Sequence, residues 1–286
     1  MFALWFPETL GERRQASDQM VAAARAAGDP PLLFHAAARS CSTALEAGDL
    51  FVADQCLHDM NAVVEATPQP MLRWRWLYYS ATRALLAGDL ERAFSLARES
   101  GEVGIGAGER DAQPFRIALR SLVRWEQGRL RAAVEYLASA IESFPGFTIF
   151  RPLHALALCE AGQADEAAPL LAQTAADRFR SIPSNALWAT AMLTWSHVAA
   201  RVEDRDAAAV LSEQLEPFAD QVAATPIGVP GAIAHGLGLL ASTLGLDGID
   251  EHFAAAVATH ERLNAPLLAA RARADWEHVA LGLPAR

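Results

Sequence analysis

A short elbow recurs along the 286-residue chain, and no other feature restricts the possible folds as strongly. It reads Ala47-Gly48-Asp49-Leu50 with Ala53, Ala87-Gly88-Asp89-Leu90 with Ala93, Gln127-Gly128-Arg129-Leu130 with Ala133, and Ala161-Gly162-Gln163-Ala164 with Ala167. The alanine-to-alanine spacings are 40, 40 and 34 residues, the range of helical-repeat units. A weaker copy stands at Glu203-Asp204-Arg205-Asp206 with Ala208, and another near Leu244-Gly245-Leu246-Asp247. A glycine that follows an apolar helical stretch admits the left-handed C-terminal conformation. Asp49 and Asp89 can then cap the next helix, where a negative charge also suits the dipole. The alanine lets two antiparallel helices cross closely.

Helical periodicity flanks the elbows. Trp74, Leu77, Tyr78, Ala81, Ala84 and Leu85 precede Gly88 at three-and-four spacing, and Leu130, Ala133, Val134, Leu137, Ala140 and Ile141 follow Gly128 in the same way. Pro145 marks the end of that second stretch. The predicted fold class is all-α. One helix is expected over about 9–27, repeats over about 32–265, and a capping helix over about 266–281, with roughly fourteen helices in a single domain spanning 1–286. Polar residues on the terminal helices (Glu12, Arg13, Arg14 and Asp18 on the first; Arg271, Arg273, Glu277 and His278 on the last) are expected to form outer faces, as array ends require.

Composition removes several function classes. The formal charge of −10 and scattered arginines argue against direct nucleic-acid binding. The chain contains no lysine, so a Walker A loop, Schiff-base catalysis and the kinase ion pair are all excluded. Cys41, Cys56 and Cys159 have no metal or redox spacing and are expected as reduced thiols in the cytoplasm. The apolar opening lacks the basic lead of a signal peptide. The uncharged stretch from Ile227 to Leu246 is expected as a packed helix with small-residue faces rather than a membrane span.

From Gly128 onward, Ala133, Leu137, Ala140 and Pro145 match the second helix of a tetratricopeptide repeat. More widely, the chain resembles the helical-repeat region of large bacterial regulators: the LuxR-type ATP-binding regulators and related nucleotide-cyclase or AAA-ATPase fusions. The resemblance is carried by Leu4-Trp5-Phe6-Pro7, Arg73-Trp74-Arg75-Trp76, Glu126 to Leu130, Gly236 to Gly245, His252 to Ala256, and Leu267 to Asp275. It implies a right-handed superhelical solenoid of about seven antiparallel helix pairs, in which the first helix of each pair lines a concave groove. The ATPase, cyclase and DNA-reading parts of those regulators have no counterpart here, which implies a stand-alone relative of their sensor region or a piece of a longer chain.

Carrying the groove positions across by the elbow glycines selects His35, Ala38, Arg39 and Ser42; Arg75, Tyr78, Tyr79 and Thr82; Phe115, Leu119, Leu122 and Trp125; and Thr190, Thr194, His197 and His235. The same aromatics could instead fill inter-repeat core, a reading that suits Trp74 and Trp76 better than Tyr78, Tyr79 or Trp125. The glycines from Gly101 to Gly108 superficially resemble a phosphate loop, but they leave a helix rather than a strand and are expected as a linker. His260-Glu261 opens like a zincin motif but meets Asn264 where the second histidine belongs; His252 and His260 are expected as surface or packing residues, and no metal or cofactor is expected. No Gly-x-Ser-x-Gly elbow is present. The leading expectation is a non-catalytic scaffold or regulatory module that takes a protein or peptide in its groove. The alternatives are a small-molecule-sensing domain and, third, an enzyme using the solenoid interior, which requires convergence of polar groups near His35, His197 or His235. Homodimerisation through open solenoid ends is also expected.

Overall fold

The computed structural model describes residues 5–282, so Leu4 of the opening motif lies outside the described residues. Those residues form fourteen α-helices and one β-hairpin. In order they are α1 (Leu10–Ala27), α2 (Pro30–Glu46), α3 (Leu50–Ala66), α4 (Pro70–Leu86), α5 (Leu90–Gly106), α6 (Ala112–Glu126), α7 (Val134–Ser143), α8 (Phe150–Glu160), α9 (Ala164–Ala175), α10 (Trp188–Arg201) and α11 (Arg205–Leu215), then β1 (Val222–Thr225), β2 (Gly228–Ala232), α12 (Ile233–Leu244), α13 (Ile249–Arg262) and α14 (Pro266–Ala280). No helix among the described residues is long and apolar enough to cross a membrane.

The elbows form as their chemistry dictates. Gly48, Gly88, Gly128 and Gly162 hold φ values of 70°, 78°, 64° and 76°, the left-handed region that an L side chain resists. Asp49 accepts the amide of Val52 at 3.2 Å, Asp89 that of Arg92 at 3.0 Å, and Asp204 that of Ala207 at 2.9 Å, each satisfying a donor that the first turn leaves orphaned. Arg129 cannot accept such a bond, and the helix after Gly128 accordingly begins with a 3-10 turn over Leu130–Ala133. Ala53, Ala93, Ala133 and Ala167 are all buried where paired helices cross.

Two sequence expectations are corrected. The glycines from 101 to 106 are not a linker: they are the last turns of α5, and only Gly108 takes a left-handed φ, at 75°. A Cβ on Gly104 would stand 2.6 Å from the Ala112 Cβ and 2.7 Å from the Trp74 ring, so this glycine permits the approach of α4 and α6 to α5. The stretch that begins at Ile227 is not one helix either. Residues 222–232 fold into an antiparallel hairpin pairing Val222 with Ala232, Ala223 with Gly231 and Thr225 with Gly228. Pro226 and Pro230 deny the helical hydrogen bonds, and Gly228 and Gly231 adopt φ values of 152° and 148°. A side chain at Gly228 would collide with Leu122. The helix starts only at Ile233.

The hairpin is buried along both strands. It touches α2, α4, α6, α10 and α12, the first helices of their pairs, as well as α13. It therefore occupies the space those first helices enclose. Thr82 donates to the Pro226 carbonyl at 2.9 Å, Gln221 donates to the Pro7 carbonyl at 3.1 Å, and Arg271 donates to the Pro230 carbonyl. The far end of the array returns to its start: α14 packs on α4, Arg262 lies against Gly48, and Pro266 and Leu267 lie against Gly88. The face of α14 toward α4 is thus covered within the chain.

The terminal helices differ from simple polar caps. Arg13 does not face outward; its side chain is 3% exposed and forks onto Glu46 at 2.9 and 2.7 Å. The same carboxylate accepts Trp5 Nε1 at 3.0 Å. Arg271 is drawn inward to Glu126 at 2.5 Å. Glu12, Arg14, Asp18, Arg273 and Glu277 are exposed, as expected of outer faces.

Candidate functional site

A cavity of about 530 Å³ lies where α2, α4 and α6 face the hairpin tip. Its aromatic wall is Trp5, Trp74, Tyr78, Tyr79, Phe115 and Phe147, with Met20, Leu187 and Ile227 as the large aliphatic contributions. The polar wall is His35, Arg39, Arg75, Asp111, Asn185 and Thr225. The volume falls in the range of pockets that enclose small organic ligands.

The rings brace one another. Trp74 and Tyr78 meet nearly edge-to-face with centroids 5.3 Å apart, Tyr78 and Phe115 at 5.2 Å, and Phe115 and Phe147 at 6.0 Å. These are favourable quadrupolar arrangements, and they present both faces and edges to the space between. Tyr79 is fixed by its hydroxyl, which lies 2.7 Å from both the Ala38 carbonyl and Ser42 Oγ. Trp5 is held by its bond to Glu46, and Arg39 stacks over its ring at 5.3 Å.

Several polar groups on the wall have no partner among the described residues, the buried Trp74 Nε1 included. Arg75 forms no ion pair or hydrogen bond with any described residue, and its Nε is buried without an acceptor. The Tyr78 hydroxyl and the His35 ring make no hydrogen bond with any described residue. Burial, followed by the charges of Arg75 and Arg39, lowers the His35 pKa below its ordinary 6.5, so the ring is neutral at pH 7. Burial also pushes the Tyr78 phenol up, against the pull of the two arginines. Buried polar groups are normally satisfied, and a convergent set that is not satisfied internally is a candidate for satisfaction by a ligand.

The predicted groove residues divide into two groups. His35, Ala38, Arg39, Arg75, Tyr78, Tyr79 and Phe115 do line the cavity. Thr82 instead holds the hairpin, Ser42 anchors Tyr79, and Leu119 lies in the core. Leu122, Thr190 and Thr194 border only a void of about 20 Å³ behind the hairpin, room for about one water. The two threonines spend their hydroxyls on helix carbonyls at 2.8 and 2.7 Å. Trp74 lies in the core, as expected, and also borders the cavity, whereas Trp76 is half-buried on the outer side between α3 and α4. Trp5, Phe147, Asn185, Ala186, Leu187 and Pro226 were not selected from the sequence. They come from connections rather than repeat positions, so helix register carries no signal for them.

Trp125, His197 and His235 belong to a separate buried cluster. Arg271 sits 3.9 Å over the Trp125 ring, and His197 packs against Trp125 at 5.1 Å and His235 at 4.9 Å. His235 Nε2 lies 2.8 Å from Asp275 Oδ2, and His260, a packing rather than a surface residue, accepts the Ala232 amide at Nε2, 2.9 Å away. Burial lowers all three imidazoles, that of His260 down to about 2, so they are neutral at pH 7. Burial acts to raise Asp275, yet the hydrogen bond from His235 and the charges of Arg201 and Arg271 hold it below its ordinary range; it is the carboxylate that accepts. The His235–Asp275 pair resembles the base and orienter of a triad, but all three rings are 0% exposed. Among the described residues no group of three His, Cys, Asp or Glu side chains is placed to hold a metal.

Both ring nitrogens of His197 are buried without a partner, a destabilising arrangement of about 1–3 kcal/mol. His197→Leu, of similar volume, is therefore expected to stabilise the chain by about 1–3 kcal/mol in denaturant unfolding. A loss of stability instead would mean that the ring is hydrogen-bonded through enclosed water.

Set against known proteins, the chain matches no family model. It also matches no curated protein.

Proposed function

We propose that this chain is a small-molecule-binding, regulatory input module and that the cavity between α2, α4, α6 and the hairpin is its ligand site. The scaffold in this reading is a tetratricopeptide-like, right-handed superhelix of about seven helix pairs, with the hairpin as an added floor. The observation that carries the proposal is the aromatic cavity in which the buried Arg75 Nε finds no partner among the described residues. Binding sites of this kind are largely apolar with a few converging polar groups. The unpaired thiols of Cys41, Cys56 and Cys159 are consistent with work in a reducing compartment such as the cytoplasm. A protein or peptide lying along the concave side, the rival reading, would share that side with the buried hairpin.

The test is a thermal-shift screen of the whole chain against a panel of small organic metabolites. A ligand present at a hundred times its dissociation constant stabilises by about 2.7 kcal/mol. At least one stabilising compound, ineffective on Tyr78→Ala, is the expected result. A flat response across the panel, with a co-purifying protein displaced by no small molecule, would return the assignment to a protein partner.

A further inference from the structure

We infer that the ligand of this cavity is an organic monoanion with a planar aromatic body, its negative charge set against Arg75; the inference rests on the small-molecule reading above. Charge comes first. The charged side chains on the wall are Arg39 and Arg75 against Asp111 alone, and His35 is neutral, which leaves one positive charge for an occupant to balance. Asp111 is exposed at the rim, whereas Arg75 carries a buried Nε with no acceptor. A guanidinium offers a planar fork of donors that fits an oxyanion, and an ionic hydrogen bond is roughly twice as strong as a neutral one. A neutral occupant could accept from that fork but would leave its charge unbalanced.

Shape follows. Six wall side chains are aromatic and only three are large aliphatic ones. The rings already brace one another, Tyr78 edge-to-face with Trp74 and with Phe115, and Trp74 and Phe115 tilted at 36° with centroids 5.7 Å apart, so an arene can enter without repacking them. Tyr78 Oη and the neutral His35 ring supply one further hydrogen bond each to a polar edge of the same molecule. An alkyl chain would use neither the ring faces nor these two groups.

Two fluorescent probes that differ in charge test the inference: 8-anilinonaphthalene-1-sulfonate and its uncharged parent, N-phenyl-1-naphthylamine. Both are titrated into the full chain, into Arg75→Gln, and into Ala186→Trp, which places bulk in the cavity from its connecting loop; near-UV circular dichroism checks each variant's packing. The sulfonate should bind at least about tenfold more tightly than the parent, and Arg75→Gln should reduce that preference to about twofold or less. Ala186→Trp should abolish both signals. Equal binding of the two probes, or a preference that survives Arg75→Gln, overturns the anion inference and leaves the cavity reading standing. No binding of either probe, or binding untouched by Ala186→Trp, overturns the cavity reading and the inference with it.

Discussion

Glu46→Ala should cost the protein about 3–5 kcal/mol, because it leaves the Arg13 guanidinium buried with no counter-charge. The Arg13 and Glu46 side chains are 3% and 8% exposed, and the carboxylate takes both arms of the arginine fork. Among the described residues Arg13 would keep hydrogen bonds to Thr9 Oγ1 at 3.1 Å and the Phe6 carbonyl at 3.2 Å, and the Trp5 ring at 5.8 Å. Trp5 would also lose its indole acceptor, so the substitution should loosen one wall of the cavity as well as the junction of α1 with α2. The double change Arg13→Met with Glu46→Leu should be close to neutral, since a buried ion pair exchanged for packed apolar groups commonly costs little. Denaturant unfolding of the three proteins checks this. A single variant as stable as its parent would mean that the pair is hydrated in solution.

Acidification should produce the second large effect. His197, His235 and His260 are held neutral in the fold, each below the ordinary 6.5. Once unfolded, they take up protons as the pH drops through 6.5. The unfolded state then binds more protons than the folded one, so stability is intact above that pH and falls below it. For His260, lowered to about 2, the interval from pH 7.5 to 5.5 amounts to about 1.4 kcal/mol, and His197 and His235 act in the same direction. Burial raises Glu46 and Glu160, which bind protons first in the folded state and work in the opposite direction. Unfolding free energies across this interval should fall with acid, and His197→Leu should make that fall shallower. A profile unchanged by that substitution would refute the assignment.

The parts of this structure that could be read from sequence are those fixed by local chemistry. A glycine forced into the left-handed region and an aspartate that caps three residues later act within one turn, and Gly48 with Asp49 or Gly88 with Asp89 need no knowledge of the rest of the chain. Seven of the eighteen lining residues follow from them, because His35, Arg75 and Phe115 share one position ahead of the elbow glycines, Ala38 and Tyr78 a second, and Arg39 and Tyr79 a third. The hairpin could not be read in the same way. Its two strands, four and five residues long, are too short to stand alone and persist because surrounding helices bury them. The consequence for the site is direct. Thr82, Leu122, Thr190 and Thr194 hold the repeat positions expected of a groove, and the hairpin covers them.

A stack of helical repeats is ordinarily a one-dimensional object: each unit leans on its neighbours, units can be added or removed, and stability grows almost by increments. The inserted hairpin removes that modularity. Gln221 reaches Pro7 across 214 positions of chain, Arg271 reaches Glu126 across 145, and Pro226 reaches Thr82 across 144. The early helices therefore cannot complete their inner face until residues more than two hundred positions along have been synthesised. Such distant closures slow folding and bind the array into one cooperative unit. Shortening this chain by a repeat from either end should collapse the whole of it, where an ordinary repeat array would only become shorter.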